Sequence, residues 1–129
     1  MTLFEMVEQF NVEVIKVTKP GTISPLSEVN TKFLTTVIRE ETREFLVAKS
    51  QADIVGQVDA LIDLMYFAMG GLTRLGITHD QSLKCFEAVH AANMSKVRGD
   101  KGRGSKADAI KPALWRGPEA AIKQILNVE

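Results

Sequence analysis

Several absences narrow the field before any motif is considered. The chain has one cysteine, Cys85, so no internal disulfide can form and the usage suits a reducing compartment. It has two histidines, His79 and His90. Glu87 and His90 have the Glu-x-x-His spacing of di-iron bundles, but His79 has no acid three residues before it, and such centres need two pairs. There is no excess of one charge: 16 Lys and Arg balance 16 Asp and Glu. That balance argues against a nucleic-acid partner, whose phosphates demand a basic footprint. The opening MTLFEMVEQFNVEV mixes acids with apolar residues and lacks a basic start, so no signal peptide is expected. No apolar run approaches the ~20 residues of a membrane span, no repeat is visible, and no tract is of low complexity. The expectation is a cytoplasmic domain with no membrane partner, single over residues 1–129.

What is present reads as helix. Leu3, Met6, Val7, Phe10, Val14 and Val17 fall on one side of a first helix over 2–17. KPGTISP breaks it, and Ser24 or Ser27 can cap a second helix running to about Ser50. QADIVGQ is a short link, and a third helix over 54–75 stops at Gly76, suited to a left-handed C-cap. Thr78 can cap a fourth helix over 79–97. RGDKGRGSKADAIKP then reads as a basic, glycine-rich, mobile loop. Pro118 opens a short last helix. No stretch alternates as a strand, so the predicted fold is all-α, a four-helix bundle with a tail helix.

The second helix carries carboxylates where its apolar stripe should continue. At about 100° per residue, Phe33, Leu34, Val37, Ile38, Phe45 and Ala48 share a face. Glu41 falls in the middle of that face, Glu44 is close to Phe33 and Val37 in phase, and Glu40 sits at its edge. The reading puts at least two of the three toward the packed side. The third helix is apolar almost all round except for a strip of Asp59, Asp63, Tyr66 and Gly70, on which the two aspartates stack four apart. Inward acids are costly unless paired or bound to a cation. Salt bridges to Arg39, Arg43 or Arg74 are one solution. A metal held between the two helices is the other, and it is favoured because both helices offer acids; all-oxygen ligands suit magnesium, with manganese a substitute.

Glu40-Glu41-Thr42-Arg43-Glu44 followed by Asp59-Ala60-Leu61-Ile62-Asp63 resembles the hallmark of the all-α nucleoside triphosphate pyrophosphatases, the MazG-like and phosphoribosyl-ATP pyrophosphatase-like superfamily. That hallmark is EExxE on one helix and an acid pair on the next. DALIDLMYFAMGGL, FEAVHAANMSK and KPALWRGPE are similar to further segments of such proteins, and the likeness spans about residues 26–118. Ala60 stands where many members have the glutamate of ExxD, so Asp63 carries over and Asp59 is the departure. The resemblance implies a MazG-like bundle, a homodimer or homotetramer, and magnesium-dependent cleavage between the α- and β-phosphates of a nucleoside triphosphate. Glu41, Glu44 and Asp63, with Asp59, would hold the metal; Glu40 would position or deprotonate the water, with Glu41 the alternative.

Other polar residues suggest substrate contacts. Lys96 is placed to reach a phosphate and Asn93 a phosphate, sugar or base, against the alternative of a capping network at a helix end. GDKGRGSK is no phosphate loop, because it ends Ser-Lys and follows no strand. Lys101, Arg103 and Lys106 form either a basic flap over phosphates or a solvated linker. Lys111 and Trp115 follow; the tryptophan either stacks on a base or, as favoured, anchors the tail. Two rivals remain: a non-catalytic helical protein that binds nucleotides, and a different metal-carboxylate phosphohydrolase.

Overall fold

A computed structural model describes residues 1–129, which form two compact units, Met1–His79 and Asp80–Glu129. The first unit is helical: α1 (Leu3–Glu13), α2 (Glu28–Ser50) and α3 (Ile54–Arg74). Side-chain oxygens start each helix. Thr2 and Glu5 form a reciprocal capping box on α1, Ser27 accepts from Asn30 N–H on α2, and Asp53 accepts from Gly56 N–H on α3. Each cap satisfies an otherwise orphaned donor, a contribution of about 1 kcal/mol.

α1 ends at Glu13, four residues before the expected stop at 17, because the chain turns left-handed at Lys16 (φ 58°) and Val17 N–H bonds back to Asn11 O. No glycine or proline announces that stop. At the other end of the unit, Gly76 does adopt the left-handed turn expected of it (φ 87°); a Cβ there would run into Pro20.

Three residues between α2 and α3 fold the two helices into a hairpin. Small residues set the close approach: a Cβ on Gly71 would meet Leu34, and one on Gly56 would meet Ala48. Aromatic edges join the layers, Phe33 on Phe67 (centroids 6.4 Å) and Phe10 on Tyr66 (5.5 Å). Yet α3 is not the enclosed central helix its composition suggests. Ile54 (75% exposed), Val55 (79%), Val58, Leu61, Ile62 and Met65 face outward. Against the expectation that no span-length apolar run exists, α3 is long and apolar enough to cross a membrane by length and composition. It carries Asp59 and Asp63, and a packed bundle helix passes the same test.

The second unit holds α4 (His79–Met94, whose first residue closes the other unit), then β1 (Val97–Gly99), β2 (Asp108–Ile110) and α5 (Glu119–Leu126). The fold is thus mostly helical with five helices, consistent with all-α, and the expectation of no strand is corrected by a small antiparallel hairpin pairing Val97 with Ile110 and Gly99 with Asp108. Strands of three residues are too short to show a period of two, which is why the sequence reads there as loop. Gly99 leaves room for its pair's neighbour: a Cβ there would displace the end of the Ile110 side chain. α4 stops at Met94 rather than 97 because the backbone enters β1.

Candidate metal centre

Helical spacing builds the carboxylate group from two sides. On α2, Glu41 and Glu44 lie nearly one turn apart; on α3, Asp59 and Asp63 do the same. The hairpin brings them together, so that one oxygen each from Glu41, Glu44 and Asp63 lie within 4.8 Å of one another. Asp63 and Glu41 are half-buried, while Glu44 is exposed. Both glutamates thus turn toward Asp63 on the facing helix, although Glu44 stays exposed. Glu41 alone is drawn from solvent, because an i, i+3 neighbour is rotated by ~60° from it.

The electrostatics follow from that placement. Loss of solvent pushes the Glu41 carboxyl up to about 7, and the carboxyls of Glu44, Asp63 and Asp59 add to the rise. Loss of solvent likewise raises Asp63, aided by the charges of Asp59 and Glu44. No Lys or Arg forms an ion pair with these acids. Arg74, one suggested partner, instead lies 4.5 Å over the Phe33 ring and donates to Asn30. The Glu41 Oε2 is buried with no hydrogen-bond partner. A buried, unpartnered carboxylate oxygen beside two more carboxylates is a donor set that a hard divalent cation satisfies, so the residues fit a metal.

The other expected residues divide. Glu40 is exposed and outside the three-oxygen group. Asp59 is also exposed and outside it, but near enough to raise both half-buried acids. Beside Glu44 and Asp59 opens a cleft of about 300 Å³, lined also by Arg43 and Asp53. Arg43, one of three cations that the salt-bridge alternative offered, lines this cleft and makes no ion pair.

Within the second unit, Lys96, Lys111 and Trp115 come together: both ammonium groups lie over the indole ring. The Trp115 Nε1–H donates to Ala92 O at 2.9 Å, which is the anchoring role favoured from sequence. Asn93 and Lys101 are exposed. Arg103 is engaged by Asp108 through two bonds of 2.6 and 2.8 Å, so this part of the loop is a closed hairpin rather than a free flap. The Asp108 carboxyl is held down to about 2 by that guanidinium.

Over residues 9–93 the sequence matches the family model described as phosphoribosyl-ATP pyrophosphohydrolase. No individual curated protein matches it. The match covers well over half the chain and includes the whole acidic group, and the chain belongs to this family, within the MazG-like all-α nucleoside triphosphate pyrophosphatase superfamily.

Proposed function

From that membership we propose that the protein is a magnesium-dependent pyrophosphohydrolase acting on nucleoside or deoxynucleoside triphosphates, releasing the monophosphate and pyrophosphate in nucleotide-pool housekeeping. The family supports pyrophosphohydrolase chemistry on a nucleotide. The observation that carries the rest is the convergence of Glu41, Glu44 and Asp63 with an unpartnered buried oxygen on Glu41. These three would hold the cation, with Asp59 beside them either a further ligand or a charge acting through Glu41 and Asp63. When bound it would neutralise phosphate charge and polarise the phosphoryl oxygens. Glu40 positions or deprotonates the attacking water. Glu41 is the alternative, since a carboxyl near 7 can accept a proton at neutral pH. Asn93, Lys96, Lys101, Lys111 and Trp115 contact substrate, and Arg103 contributes if its pair with Asp108 opens.

The reading treats residues 1–129 as one functional domain, supported by a family match that runs through the boundary between the two units. It also takes the protein as a cytoplasmic homodimer or homotetramer. The outward apolar residues of α3 are the support: an exposed apolar helix face of this kind is normally covered.

The test is product analysis on a panel of ribo- and deoxynucleoside triphosphates with magnesium, reading monophosphate and pyrophosphate separately from diphosphate and phosphate. Monophosphate with pyrophosphate is the expected pair, and the ranking names the base and sugar. Absence of any product, with magnesium or manganese, would sink the reading in favour of a nucleotide-binding protein.

A further inference from the structure

Arg74 closes α3, is half-buried and makes no ion pair. Its guanidinium carbon lies 4.5 Å from the centroid of the Phe33 ring, and its Nη1–H donates to Asn30 Oδ1 at 2.6 Å. Both supports are neutral, so the group is held in place with its charge uncompensated. A guanidinium cannot shed its proton in a protein, and partial burial therefore leaves a demand for a counter-ion.

Arg74 lines a hollow of about 220 Å³ within the Met1–His79 unit. Lys19 and the hydroxyl residues Thr18, Ser24 and Ser27 line it too, and no acid does. Glu8, which pairs with Lys19 at 3.0 Å, and Glu28, the first residue of α2, both lie off the lining. The Ser24 N–H bonds to Leu75 O at 3.2 Å, so the loop carrying the hydroxyls is tied to the end of α3. Ser27 caps α2, so the positive end of that helix borders the same hollow. A role for Arg74 in merely complementing the negative end of α3 would call for neither a second cation nor the hydroxyls.

The hollow is separate from the carboxylate group. Arg74 is 11 residues beyond Asp63 on α3, and Asn30 is 11 residues before Glu41 on α2, about 16 Å along each helix. A single phosphate seated against Arg74 does not reach those acids.

We propose that Arg74, Lys19, Ser24 and Ser27 form a binding site for one phosphate group, either inorganic phosphate or the phosphate of a nucleoside monophosphate. The two cations supply charge, the planar guanidinium supplies paired donors, and the hydroxyls serve the remaining oxygens. Occupancy joins the loop between α1 and α2 to the last turn of α3, at the end of the hairpin away from its turn. The site needs no divalent metal and stands whether or not the protein is a pyrophosphohydrolase.

The test uses the full chain in excess chelator, titrated with inorganic phosphate and, separately, with a nucleoside monophosphate. Calorimetry gives the affinity, and heteronuclear NMR of the Arg74 Nε–H and of the Ser24 and Ser27 amides gives the location. Saturable binding with a Kd of about 1 mM or tighter is expected, with shifts at those groups. Arg74→Gln should weaken it at least about tenfold, Ser24→Ala and Lys19→Gln about threefold each, and added salt should weaken it in the unaltered chain. Circular dichroism is read on each variant; if Arg74→Gln does not fold, the other two decide. Binding of inorganic phosphate identifies the free anion as a ligand, and binding of the monophosphate alone assigns the site to a phosphate ester. Absence of binding by both, shifts at Lys96 and Lys111 instead, or an affinity that the folded variants leave unchanged overturns the site. Turnover is not part of the readout, so that failure leaves the pyrophosphohydrolase reading standing.

Discussion

The two units each gather like charges, by opposite means. Met1–His79 holds ten acidic and seven basic residues; Asp80–Glu129 holds nine basic and six acidic. In the first, helix periodicity sets the acids one turn apart and a tight hairpin closes two helices on them. The cost appears as a carboxyl at about 7 and an oxygen without a partner. In the second, a ring fixed by tertiary hydrogen bonds collects two lysines from separate segments, and the cations stay near solvent. Desolvated like charges create a demand for a counter-ion strong enough to move a pKa; charges left in water create a milder one.

The largest expected effect breaks the acidic side of this contrast. Glu41→Gln, Glu44→Gln and Asp63→Asn should each lower turnover by at least roughly 100-fold while circular dichroism stays native, because each removes a proposed cation ligand and none removes packing. Asp59→Asn should cost about tenfold, as a neighbour acting through the field; a loss equal to that of Asp63→Asn would make Asp59 a ligand.

Next comes the frame that closes the acids. A Cβ at Gly56 would sit 2.9 Å from the Ala48 Cβ and 2.5 Å from Asp53 Oδ2, whereas one at Gly21 meets nothing within 4 Å. Gly56→Ala should destabilise by about 1–3 kcal/mol in a denaturant titration. Gly21→Ala should leave the midpoint in place, and equal effects would mean the close approach of α2 and α3 is not what supports the site.

A smaller effect is the pH dependence of the metal-free protein. Between the ordinary carboxyl value of 4.5 and about 7, folded Glu41 keeps a proton that the unfolded chain has lost. Stability from this group is therefore present below 4.5 and declines as pH rises to about 7. Thermal melts with chelator should show that decline, Glu41→Gln should flatten it, and magnesium should raise Tm most above pH 7. A metal-free protein whose Tm rises across this window in a Glu41-dependent way would contradict the placement of the group.

The smallest effect is expected on the basic side. Arg103→Ala and Asp108→Ala break an ion pair open to solvent, so no measurable change in Tm should follow. A clear loss would show that the pair, rather than the Gly99–Ile110 packing, holds the hairpin.

How much of this was legible beforehand differs between the same two regions. Helix periodicity is local, so α2, α3 and their four acids could be placed in phase from the residues alone, and Gly76 announced its own turn. The end of α1 at a left-handed lysine had no such signal, and three-residue strands have none. That Glu44 faces Asp63 yet stays exposed was not legible, because phase on a wheel gives direction and only the position of the facing helix gives burial.

The sequence by itself determined the helices, the acids that share their faces and the family, since these depend on spacing and residue type along one segment. Tertiary structure alone decided that the Glu41 Oε2 is left buried without a partner, that Arg103 is spent on Asp108 and that Lys96 and Lys111 meet on Trp115. Desolvation and partner choice depend on which surfaces approach through space, and no local period encodes that approach.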